Sequence, residues 1–267
     1  MTKIFYKISF RKCEVINLGE NRKKEIIKAF IAITCIILVI IVVGLINFKY
    51  NIEGETNMPF TLSKITIVST AEGVENEGTE EKWNLSIFQN NDVYFSIEKN
   101  ENNKEDEIIQ SISIENIQVT KAPNIGEIKT YMPNSSEGRT FAMKDEYVVP
   151  EGKLTFKGAS KSNSKTLEIG NQGGTAVVRF ANTGLGKYIS DEDEEIVHNG
   201  SLISKTEAKD EDLEFTVTFD FIINLRDKSY VSKISLTMPC SENLIEEGTS
   251  SKEIKEKFVF KRLVNKE

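Results

Sequence analysis

Apolar residues follow two patterns along this chain, with the change of pattern near residue 50. From Ala29 to Phe48 about 20 consecutive positions carry no charge, which at ~1.5 Å rise per residue matches the hydrocarbon thickness of a bilayer. The many Ile and Val residues there are mediocre helix formers in water. In lipid, however, a lone apolar segment can satisfy its own backbone only as a helix. The pattern predicts one transmembrane helix over residues 26–48.

Past a polar stalk at 49–58, the period changes to two. Residues 64–68 read as a strand and 71–81 as a solvated loop. Trp83, Leu85 and Ile87 alternate with polar residues, as do Val93, Phe95 and Ile97, and Asn90-Asn91-Asp92 between them predicts a hairpin turn. Residues 99–107 read as a mobile charged loop tip. Ile112 and Ile114 are followed by Ile117 and Val119 in the opposite phase, so a bulge is expected at Glu115-Asn116. Further strands are predicted at 125–131, 147–149, 153–157, 166–169, 176–180 and 257–263, and Ser250-x-x-Glu253 has the capping-box pattern of a short helix.

The clearest alternation is Phe215, Val217, Phe219, Phe221, Ile223 and Leu225, which predicts a strand with one wholly apolar face. A turn at 226–229 then leads into Ile234, Leu236 and Met238. Outside the membrane segment no long 3.6-residue period occurs. Short strands separated by turn residues predict an all-β fold, an antiparallel sandwich of the immunoglobulin or jelly-roll kind. It is expected to form one domain over 59–264, with two modules meeting near 133–144 as the alternative.

Charge orients this arrangement. Eight basic against three acidic residues give residues 1–28 a net +5, which leaves −12 for the rest of a chain totalling −7. A basic head at 1–25 keeps the N-terminus cytoplasmic and sends the acidic domain across the membrane, to an extracytoplasmic location. A domain so acidic is repelled by nucleic acid, which excludes that class of partner. The apolar core is too long for a cleavable signal peptide and lacks small residues at a cleavage site, so an uncleaved signal anchor is expected. Thr34 before Cys35 also departs from a lipoprotein signal. Of the three cysteines, Cys13 lies in the head, Cys35 in the membrane segment and Cys240 alone in the outer domain, which therefore has no internal disulfide.

Several stretches resemble a family of uncharacterised single-pass, membrane-anchored proteins of clostridial-type Gram-positive bacteria. They are Phe60-Thr61-Leu62-Ser63-Lys64-Ile65, Val68-Ser69-Thr70-Ala71-Glu72-Gly73, Lys82-Trp83-Asn84, Gln89-Asn90-Asn91-Asp92, Asn171-Gln172-Gly173-Gly174 and Phe219-Asp220. The resemblance implies an envelope location and brings no activity, cofactor or catalytic residue. A bacterial setting also makes the glycosylation patterns at Asn84, Asn134 and Asn199 chance matches.

Candidate chemistry is sparse. Gly170-Asn171-Gln172-Gly173-Gly174-Thr175 leads into a strand-like run without a following Lys, so it reads as a tight turn and not as a phosphate cradle. Gly184-Leu185-Gly186 reads the same way. The acidic run 190–195 offers oxygens to calcium, but Ile196 stands where an EF-hand requires Gly, and a solvated loop is the expectation. Lys209-Asp210-Glu211-Asp212 is weaker still. His198, the sole histidine, cannot form a zinc site with Cys240 alone. No G-x-S-x-G elbow occurs. The one enzymatic alternative is a resemblance to sortase-like cysteine transpeptidases, with Cys240 ending a strand and His198 upstream. Pro239 before the Cys and the distance along the chain to Arg262 depart from that pattern. No catalytic, cofactor or metal residue is therefore assigned. The sequence reads as a non-enzymatic binding or scaffolding protein with an envelope-protein partner.

Overall fold

In the computed structural model, residues 19–76, 82–134, 141–191 and 195–263 are described, and the chain falls into two compact units, Met1–Asn51 and Ile52–Glu267. The basic head up to residue 18 lies outside the described residues.

The first unit is dominated by helix α1 (Glu20–Glu53), an unbroken helix of 34 residues. Its apolar side chains from Ile26 to Phe48 are exposed on every side, and the helix is long and apolar enough to cross a membrane. The helix runs on through the first half of the expected stalk.

Among its described residues, the second unit has eleven strands: β1 (Phe60–Glu75), β2 (Asn84–Lys99), β3 (Ser111–Lys121), β4 (Glu127–Tyr131), β5 (Leu154–Gly158), β6 (Glu168–Ile169), β7 (Gly173–Ile189), β8 (Phe215–Asn224), β9 (Ser229–Met238), β10 (Ser250–Ile254) and β11 (Lys261–Leu263). They form a five-stranded sheet, β10-β1-β2-β7-β4, and a six-stranded sheet, β11-β9-β8-β3-β5-β6. All pairings are antiparallel except β5 with β6. The two sheets pack face to face, the all-β sandwich that the alternation predicts. Phe215, Val217, Phe219, Phe221 and Ile223 of β8 all point into one core with Ile234 and Leu236 of β9. They meet Phe95 of β2 and Phe180 of β7. The Phe95 ring stands edge-on to Phe219 at 5.7 Å and lies 4.9 Å from Phe221, while Phe180 stacks on Phe219 at 6.1 Å.

The bulge in β3 falls where the phase change predicts it. Asn116 takes φ 55°, and pairing with β8 skips from Glu115–Asp220 to Gln118–Thr218. The turn at 170–175 also forms, with Gly173 and Gly174 at φ 118° and 146°. A Cβ on Gly173 would sit 2.6 Å from the Ile97 carbonyl oxygen, so only glycine fits there.

Elsewhere tertiary contacts override local signals. Asn90-Asn91-Asp92 is not a hairpin turn, because β2 runs straight through it for 16 residues between β1 and β7. Each side chain finds a partner that only the assembled sheet supplies. Asn91 accepts from Ser69 Oγ (2.7 Å) and donates to the Phe180 carbonyl (3.1 Å), and Asn90 donates to Glu72 (2.7 Å). Asp92 receives both Nε and Nη2 of Arg179 at 2.6 and 3.0 Å. Arg179 also reaches Glu72 at 3.1 Å and lies 4.7 Å from the Phe141 ring centroid. Burial works against this guanidinium charge, but Asp92 and Glu72 outweigh it and hold Arg179 more basic than usual.

Residues 71–75, expected in a solvated loop, complete β1. Ser250–Ile254 is a strand against the edge of β1, not a helix, and Gly184-Leu185-Gly186 is an irregularity inside β7, not a turn between strands. The expected strand at 147–149 is reduced to short 3₁₀ turns with a single bridge, Tyr131 to Val148. Only the ends of the stretches 166–169 and 257–263 pair as strands. The charged loop at 99–107 is tied down. Asn103 is buried and donates to the Asn57 carbonyl (2.8 Å), and Glu105 pairs with Lys228 (2.7 Å), raising the lysine's pKa.

The strands β1, β2 and β7 span 16 or 17 residues, whereas β8 and β9 span 10. The first sheet therefore outruns the second by about 20 Å at ~3.3 Å per residue. Short helices α2 (Gly200–Ser204), α3 (Asp210–Leu213) and α4 (Leu244–Glu247) cover the overhang. They bury Leu202, Ile203, Leu213 and Leu244 against Ala71, Leu85, Ile87 and Leu185 as a second core. A Cβ on Gly200 would meet the Leu244 carbonyl oxygen at 2.2 Å, which explains the glycine where α2 meets α4. Between the two cores runs a belt of fully buried polar side chains: Ser69, Gln89, Asn91 and Asn182.

Candidate ligand cleft

The cleft lies at the helix-covered end of the long sheet. The pairing partner β10 reaches β1 only from Ile65 to Ser69, and among the described residues no strand pairs with that edge of β1 beyond it. At Gly73 the imidazole of His198 takes that place, its Nδ1 accepting the Gly73 N–H at 3.2 Å. At the start of β2, Trp83 is clamped by its backbone. Its N–H donates to Ser190 Oγ (2.8 Å), and its carbonyl accepts the Ser190 N–H (2.9 Å). Ser190 is itself buried, and Trp83 is left 45% exposed.

Between these two residues opens a cleft of about 380 Å³, lined by Gly73, Glu75, Trp83, Leu85, Glu195, Ile196 and His198. The only tryptophan and the only histidine of the chain thus share one cleft. Its floor is apolar, with Leu85 belonging to the second core and Ile196 packed against it. Neither Glu75 nor Glu195 forms an ion pair with a described residue. Two other openings are less suited to a ligand. One, lined by Asp210, Glu211, Glu214 and Glu242, already holds Lys121 paired with Glu214. The other is a shallow groove between the ends of β3 and β4.

The residues of the sortase-like alternative are not brought together. The Cys240 N–H donates to Ser69 Oγ at 3.0 Å, whereas His198 is bonded at Gly73. Four residues of extended strand separate those anchor points, about 13 Å at ~3.3 Å per residue. Arg262 pairs with Tyr230, at the opposite end of β9 from Cys240. The Cys240 thiol instead lies 3.1 Å from Ser250 Oγ and packs against the main core. Among the described residues, no hydrogen bond joins the Cys240 thiol to the His198 imidazole.

The remaining sequence candidates take structural roles or lie outside the described residues. The calcium reading of 190–195 depends on Glu192, Asp193 and Glu194, which are not among those described. Among the described residues, no three His, Cys, Asp or Glu side chains gather as metal ligands. Asp210 accepts the Ile245 N–H (3.1 Å) and Asp212 accepts the Lys209 N–H (3.2 Å), so these carboxylates secure α3 and α4. The glycine-rich turn at 170–175 opens no helix and leads directly into β7.

Comparison with known proteins places none beside this chain: no family model, no curated protein and no solved structure matches. Its class therefore follows from its own fold and cleft. It is a β-sandwich following a helix apolar enough to span a membrane, with one half-exposed tryptophan at the sandwich end.

Proposed function

We propose that this is a non-enzymatic, membrane-anchored binding protein. Its N-terminus is cytoplasmic and its β-sandwich extracytoplasmic, presenting the Trp83 cleft to a ligand or an envelope partner. The observation that carries the binding role is the half-exposed Trp83 beside an apolar floor, within a cleft. Tryptophan joins a large apolar ring to a polar N–H and is enriched at interaction sites for that reason. The absence of an assembled Cys240–His198 pair supports binding over catalysis. The orientation rests on the +5 charge of residues 1–28. The resemblance to anchored proteins of Gram-positive bacteria agrees with that setting.

Topology is tested by adding protease to cells stripped of their wall. Residues 52–267 are expected to be digested in intact cells while the head survives. Digestion of that unit only after lysis overturns the orientation.

A further inference from the structure

Resting on the reading of this cleft as a binding site, we infer that its ligand carries an organic ammonium ion. The walls supply two carboxylates, Glu75 and Glu195, that no described residue neutralises, and no Lys or Arg is among the described residues that line the opening. An anionic ligand would meet both carboxylates and the −12 charge of the chain beyond residue 28. A strongly hydrated metal ion requires a denser set of oxygens than two carboxylates beside an apolar floor. An alkylammonium group suits both features. Its charge is drawn to the carboxylates and to the electron-rich face of the indole, while its alkyl groups contact Leu85 and Ile196. A volume of about 380 Å³ admits a headgroup of this size. The backbone bonds to Ser190 fix the point on the chain from which the indole projects.

Because Trp83 is the sole tryptophan, its fluorescence reports on this cleft alone. The full chain, held in a polyoxyethylene-ether detergent, is titrated with choline chloride, with ionic strength matched by sodium chloride. A saturable change in Trp83 emission is expected. The uncharged isostere 3,3-dimethylbutan-1-ol should bind more weakly, by up to about fivefold for one partly exposed charge interaction. Glu75→Gln and Glu195→Gln should each weaken choline binding and leave the isostere unchanged. Equal binding of choline and the isostere overturns the inference, as does the absence of any saturable change. Saturation by N-acetylglucosamine but not by choline overturns the ammonium ligand and leaves the binding role standing. The wild-type comparison of choline with its isostere needs no variant, so it decides the matter even if a substitution perturbs folding.

Discussion

Phe219→Ala is the most direct test of the two-layer core. The ring is 1% exposed and sits between Phe95 on one strand of the facing sheet and Phe180 on the next. Truncation removes both ring contacts and leaves a cavity that the β-sheets on either side cannot close. Substitutions of this kind cost about 3–5 kcal/mol, a large share of the 5–15 kcal/mol that typically holds a domain together. At ~2–4 °C per kcal/mol for a domain of this size, the melting midpoint should fall by about 6–20 °C. The neighbouring Thr218 projects from the other face, where its hydroxyl bonds Ser235 Oγ at 3.3 Å in contact with solvent. Thr218→Ala should therefore cost about 0.5 kcal/mol or less. Far-UV circular dichroism melts of the Ile52–Glu267 unit, run side by side for wild type and both variants, measure the contrast. If Thr218→Ala proves as damaging as Phe219→Ala, the outer face of β8 is also buried and the reasoning fails.

Two further outcomes follow from the polar belt and from the sheet edge. Gln89 is fully buried with neither amide atom bonded, whereas Asn91 makes two bonds. Gln89→Leu should then be neutral or stabilising, and Asn91→Leu should cost about 2 kcal/mol or more by stranding Ser69 and the Phe180 carbonyl. Urea midpoints in the reverse order would refute this account. At the edge, Lys255 (2.5 Å) and Lys64 (2.7 Å) lower the pKa of Glu253 from 4.5 to about 2. The carboxylate's contribution is present above about pH 4.5 and is lost as pH falls toward 2. Because the side chain is exposed, the loss should be small and should diminish in high salt. Glu253→Gln should flatten the acid limb of the stability curve over that window, and an unchanged limb argues against the pairing.

Periodicity determined what depends on one segment's own partition between water and an apolar phase. The apolar helix over residues 26–48, the inward face of β8 and the bulge at Asn116 were all legible, because each follows from which side chains must leave water together, whereas the polar turns that extend the helix to Glu20 and Glu53 were not. Where a residue's local preference is weak and its partners are remote, the sequence signal points the wrong way. Asn90-Asn91-Asp92 has the composition of a turn, yet Ser69, Glu72, Phe180 and Arg179 satisfy those side chains within a strand. Ser250-x-x-Glu253 has a helix-start pattern, yet the free edge of β1 offers a ladder of backbone hydrogen bonds that a short helix cannot match. The cleft belongs entirely to the tertiary structure. Trp83 shares its alternating phase with Leu85 and Ile87, yet those two are buried in the second core while Trp83 is half exposed. His198 carries no signal of its own beyond being the only histidine. Its bond to the Gly73 N–H lies on the edge of β1 beyond Ser69, where the pairing with β10 has ended.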